Sequence, residues 1–121
     1  MSEKRARLED YLMNMEVAAA EARSFVENMT EAEFLADRKT QNAVVMSLIV
    51  IGEAAARIAE VTPDFIQQHS NVRWREMRGM RNRITHGYFG TDFELVWKTV
   101  QIALPELLGQ LPALMEAARA A

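Results

Sequence analysis

The chain has 121 residues, 50% hydrophobic, 26% charged and 7% aromatic, with no cysteine and a formal net charge of −3. That length and apolar content exclude intrinsic disorder and predict one domain over residues 1–121. The absence of Cys excludes a disulfide scaffold and a cysteine nucleophile, two His make no multi-His metal site, and the acidic balance turns away from nucleic-acid binding through bulk charge.

The first ten residues alternate Lys4, Arg5 and Arg7 with Glu3, Glu9 and Asp10, without the apolar run a signal peptide needs. Leu8, Leu12, Met15, Ala19, Ala22, Val26 and Met29 then recur at alternating spacings of four and three, which predicts a helix of about seven turns with one apolar stripe. Thr30-Glu31-Ala32-Glu33 reads as a capping box that starts a short second helix. The stretch from Asp37 to Val61 carries two stripes, Val44, Leu48, Ile51, Ala55, Ile58 and Val45, Ile49, Gly52, Ala56, Ala59. A helix apolar on two sides sits in the middle of a bundle or meets a second subunit, and Gly52 with the alanines permits close helix approach. The longest apolar stretch, residues 43–52, is far shorter than the roughly 20 residues that span a bilayer. A cytoplasmic protein without a membrane contact is therefore expected.

Thr62-Pro63-Asp64 stops that helix and opens a short one. Trp74 to Thr85 reads as a further helix closed by Gly87 and Gly90, and Thr91-Asp92 signals the next start. Phe93, Trp97, Val100, Leu104, Leu107, Leu111 and Leu114 form the last stripe, in which Pro105 and Pro112 predict a kink or an early end. No segment alternates with period two. The predicted fold is all-α, an up-and-down bundle of three long helices plus short ones.

The chemistry concentrates between Arg73 and Tyr88. Arg73, Arg75, Arg78, Arg81 and Arg83 are five of the 14 basic residues, and Glu76 is the one acid among them. Arginine is always charged and bonds phosphate bidentately, so Arg75, Arg78 and Arg83 are candidate backbone contacts for a nucleic acid. The plainer account is a solvated helix face. Arg81 falls on the stripe of Trp74, Met77 and Ile84, where a guanidinium must be paired or face a wet cleft. It either bridges to Glu53, inside the third helix, or meets an anion. Glu53 can equally pair with Arg57 four residues on.

His86 closes the helix and can move protons near neutral pH, while His69, among Gln67, Gln68 and Ser70, takes no role. Five residues separate Arg81 from His86, which places them roughly 140° apart on a helix. One chain does not bring them to one face unless the helix ends near His86. A second copy related by a two-fold axis would otherwise complete the site, with two Arg81 and two His86 in one cleft.

Arg81-Asn82-x-x-x-His86-x-Tyr88 resembles the R-x4-H-x-Y motif of HEPN domains, and the whole chain resembles the HepT-like toxin family. Ile51-Gly52-Glu53-Ala54, Trp74 ahead of Gly79-Met80-Arg81-Asn82, and Val96-Trp97 followed by Leu104-Pro105 match that family's pattern. The resemblance implies a homodimeric, metal-independent endoribonuclease without a cofactor. Arg81, Asn82 and His86 would be its catalytic residues. It also implies a partner, a minimal nucleotidyltransferase antitoxin that transfers AMP to Tyr88. RNA brings its own nucleophile, the 2′-hydroxyl, so a base, an acid and positive charge on the phosphate suffice for cleavage. The alternative is a non-catalytic helical adaptor that binds RNA or a nucleotide and docks a nucleotidyltransferase. A DNA regulator is disfavoured, because Trp74, Met77 and Ile84 commit the arginine helix to packing.

Overall fold

In the computed structural model, which describes residues 2–120, the apolar stripes become helices packed side by side. Helix α1 (Ser2–Phe25) and helix α3 (Arg38–Val61) form the largest helix–helix contact, with α2 (Glu31–Leu35) between them in sequence. Helix α4 (Pro63–Gln68) follows, then α5 (Trp74–His86), a 3-10 turn (Tyr88–Gly90), α6 (Phe93–Lys98), a π-helical turn (Thr99–Ala103) and α7 (Leu104–Ala120). Helix α3 lies between α1 and α5, and α1 also packs on α7. The fold is all-α, with no strand among the described residues.

The double stripe of α3 explains its position. Val44, Leu48, Ile51, Ala55 and Ile58 are buried in the core that α1 and α7 complete. On the α5 side, a Cβ built on Gly52 would collide with Arg81 Cβ and lie 2.7 Å from the Met77 carbonyl oxygen, so only glycine lets the two helices approach this closely. Local signals set the helix starts. Thr30 and Glu33 form a capping box, with Thr30 N–H donating to Glu33 Oε1 at 2.8 Å and Glu33 N–H to Thr30 Oγ1 at 3.1 Å. Asp37 Oδ1 accepts from Thr40 N–H at 3.1 Å, and Asp92 Oδ1 accepts from Glu94 and Leu95.

Two helix limits differ from the sequence expectation. The first helix ends at Phe25 rather than near Met29, and Asn28 takes a left-handed φ of 64°. Val26 is buried and Met29 packs on the core, so the stripe outruns the helix because the turn keeps facing the same core. The last segment is helical without a break from Phe93 to Ala120, and its irregularity is a π-helical turn over Thr99–Ala103. Pro105 has no N–H for the Gln101 carbonyl, and the chain widens into the π-helical turn just before it, where Leu104 N–H donates to Thr99 O. Pro112 ends nothing: it sits exposed inside α7, which continues to Ala120. None of the helices is long and apolar enough to cross a membrane, among the described residues.

Candidate active site

Helix α5 packs on α3, with Met77 and Arg81 over Gly52, and the arginines divide on either side of that contact. A groove of about 550 Å³ runs between α3 and α5, lined by Ala56, Ala59 and Glu60 of α3 and by Arg75, Arg78, Gly79, Arg81 and Asn82 of α5. The spacing Arg75, Arg78, Asn82 follows one helical face, and the small alanines of α3 leave the opposite wall low. Three arginines thus line one open groove, together with the acid Glu60.

Arg81 is the anchored member. Its stem lies over Gly52, and its Nη1 donates to Glu53 Oε1 at 2.5 Å. Glu53 is shared, since Arg57 Nη2 sits 3.4 Å from its other oxygen. Arg81 Nε is buried without a hydrogen-bond partner, and the side chain is 24% exposed, so the guanidinium reaches solvent only at its tip. Its stripe position is therefore explained by the pair to Glu53, and the residue also lines the groove.

His86 ends α5. Its Nδ1 lies 2.9 Å from the Asn82 carbonyl oxygen. A carbonyl only accepts, so Nδ1 carries the hydrogen, and Nε2 is the ring nitrogen left free of this contact. His86 is exposed and does not line the Arg81 groove. Tyr88 follows on the 3-10 turn, half-buried, with its ring edge on Phe93. Its hydroxyl donates to Asn42 Oδ1 on the second turn of α3.

One predicted contact, Arg83, and one further arginine of the cluster, Arg73, lie apart from the groove. Arg83 lines a separate apolar groove of about 360 Å³ between α5 and the α6–α7 segment, beside Met77, Met80, Ile102 and Leu107. Arg73 turns to Glu106, with Nε donating to Oε1 at 2.9 Å, and to Glu76 at 3.8 Å. The Glu106 carboxylate raises the Arg73 guanidinium above its usual value, and that cation is spent on folding. His69 only offers its carbonyl to Trp74 Nε1 and its ring to Phe65.

Sequence reasoning missed Asn42. Nothing marks an Asn in the first turns of a helix as the partner of a tyrosine 46 residues away. Glu53 was visible as an acid inside its helix, with both partners, Arg81 and Arg57, among the expected ones. Among the described residues, no group of three or more His, Asp or Glu side chains is arranged to hold a metal.

The fold and the site define a class: an all-α domain with an arginine groove between two packed helices and a histidine at the end of one of them. The profile of the family described as "Ribonuclease HepT-like" matches residues 15–114, and the chain belongs to that family of ribonucleases. A Thermococcus cleftensis protein named "Probable ribonuclease HepT" is 39% identical over 105 residues, covering 87% of this chain and 93% of that protein. A Methanocaldococcus jannaschii protein named as a candidate RNase is 38% identical over 112 residues, covering 93% and 87%. A candidate RNase of Caldanaerobacter subterraneus is 33% identical over 91 residues, covering 75% and 79%. No solved structure matches the chain.

Proposed function

We propose that the protein is a metal-independent endoribonuclease toxin whose site is shared by two copies of the chain and silenced by an antitoxin. The carrying observation is Arg81, held by Gly52 and Glu53 at the edge of a groove that Arg75 and Arg78 also line. Such a groove follows a phosphate backbone, with Arg81 at the scissile phosphate, Asn82 orienting it and Arg75 and Arg78 on neighbouring phosphates. Arg83, on the other side of α5, would reach only the RNA that leaves the groove.

His86 supplies the proton transfers. Nε2 of one His86 removes the proton from the ribose 2′-hydroxyl, whose oxygen attacks phosphorus. The bond from phosphorus to the 5′-oxygen breaks, and the imidazolium of the second His86 donates a proton to that leaving oxygen. The products are a 2′,3′-cyclic phosphate and a 5′-hydroxyl. His86 stays outside the Arg81 groove of its own chain, so the reading requires a two-fold partner to bring a His86 to that groove.

The partner is a minimal nucleotidyltransferase. In its reaction the Tyr88 hydroxyl oxygen attacks the α-phosphorus of ATP, pyrophosphate leaves and the phenolic proton is lost. Tyr88 lies two residues beyond His86, so an attached AMP puts bulk and negative charge where the substrate phosphate must pass. A cytoplasmic site of action follows from that pairing.

The test compares wild type with His86→Ala on single-stranded RNA in the presence of a chelator. Cleavage by wild type and none by a still-folded His86→Ala is the expected result. No cleavage by either leaves the adaptor. Co-expression with the nucleotidyltransferase should relieve toxicity and add the mass of one adenylyl group to the Tyr88 peptide; an unmodified peptide from rescued cells would overturn that part.

A further inference from the structure

Phe89 has no folding reason to be where it is. It is 97% exposed, the most exposed large hydrophobic side chain among the described residues, against 71% for Ile102, the next. The neighbouring aromatics are used otherwise: Phe34 is buried, and Phe93 and Trp97 pack around it. On the 3-10 turn, Tyr88 turns inward to Phe93 while Phe89 turns out.

Two backbone hydrogen bonds close the turn that carries the ring. Gly90 N–H donates to Gly87 O at 2.9 Å and Thr91 N–H to Tyr88 O at 3.0 Å. The Phe89 ring stands at 69° to the Tyr88 ring with centroids 6.1 Å apart, an edge contact. Glycines flank the pair, and a Cβ on Gly90 would meet nothing within 4 Å. Nothing nearby covers the ring faces.

Its chemical setting selects the occupant. Phe89 lies three residues past His86, at the end of the helix whose arginines line the basic groove. Phe89 does not line that groove itself but follows the helix that does; proteins that hold single-stranded nucleic acid combine a cationic track with uncovered aromatic faces, the charges following phosphates and the rings stacking bases. We infer that Phe89 is a stacking platform for an unpaired base of the RNA, next to the cleaved phosphodiester. The inference rests on the ribonuclease reading and adds to it a requirement for single-stranded RNA at the cleavage point. Phe89 positions the substrate and takes no part in proton transfer.

The test measures steady-state cleavage of a single-stranded RNA by full-length wild type, Phe89→Ala, Phe89→Leu and Phe89→Tyr, with the oligomeric mass of each. Losing one stacked base should raise KM about tenfold for Phe89→Ala, with kcat within about twofold. Phe89→Tyr should keep the wild-type KM, and Phe89→Leu should resemble Phe89→Ala. In Phe89→Trp, a 2′-O-methylated single strand should quench the added indole fluorescence, and a duplex of the same sequence should not. Wild-type KM in Phe89→Ala, with wild type cleaving, overturns the inference and leaves the ribonuclease standing. Rescue by Phe89→Leu, or a changed oligomeric mass in Phe89→Ala, overturns it in favour of an apolar protein contact. Wild type that cleaves no RNA removes both.

Discussion

Gly52→Ala probes the contact on which the site depends. Intrinsic helix propensity favours the substitution by about 1 kcal/mol in the middle of α3. The structure opposes it: the added methyl would collide with Arg81 Cβ, with the Met77 carbonyl oxygen at 2.7 Å and Arg81 Cγ at 3.0 Å. Two of these belong to atoms that no change of rotamer moves, so α5 must shift away from α3. Overpacking of that kind costs about 3 kcal/mol at the upper end of its range, leaving a net loss of about 2 kcal/mol. Thermal unfolding by circular dichroism should show a fall of roughly 6–10 °C. Gly79→Ala and Gly109→Ala are the controls. A Cβ on Gly79 comes no closer than 3.7 Å, to Arg83 Nη1, and one on Gly109 meets nothing within 4 Å. Both should gain up to about 1 kcal/mol. If Gly52→Ala melts with the controls, at or above wild type, the tight α3–α5 contact and the anchoring of Arg81 derived from it are wrong.

Other outcomes follow from the same geometry. Arg81→Lys keeps the charge but loses the planar fork that reaches Glu53 and a phosphate together, so kcat/KM for RNA should fall about 100-fold with the fold intact. Co-expressed mixtures of wild type and His86→Ala should lose activity as the square of the wild-type fraction, because both His86 are needed; a loss in simple proportion would refute the shared site. Asp37 has its carboxyl held below the ordinary value by the Thr40 N–H bond and then the Thr40 hydroxyl bond. A depressed carboxylate contributes stability above the unfolded value near 3.8 and loses it as pH falls through the folded value. The stability difference between wild type and Asp37→Asn in urea titrations should therefore hold at neutral pH and narrow below about pH 4. A difference independent of pH would contradict that cap.

The fold was legible wherever one signal dominated. The double stripe placed α3 between two neighbours, and Thr30, Asp37 and Asp92 marked helix starts that their side chains do cap. The stripe through Val26 and Met29 hid the end of α1, because a turn can keep facing a core after the helix stops. Pro105 signalled an irregularity but not its form, a π-helical turn placed before the proline rather than a kink at it. At the site, the sequence could count the arginines but not sort them. Arg75, Arg78 and Arg81 meet because Gly52 and two alanines let α5 lie close on α3, and that is a property of two helices together. Arg83 left the group for the opposite groove, and Arg73 left it for Glu106. Phe89 did carry a signal, an aromatic between glycines outside every apolar stripe, although only the structure shows that nothing covers it.

The central claim is that the Arg81 groove and His86 cleave RNA through its own 2′-hydroxyl. The direct measurement is the chemistry of the cut ends after incubation of the purified chain with a single-stranded RNA and its 2′-O-methylated twin. Cleavage of the first alone, with 2′,3′-cyclic phosphate and 5′-hydroxyl ends that disappear in His86→Ala, is the predicted result. Cleavage of the methylated strand, or ends bearing a 5′-phosphate, would contradict it.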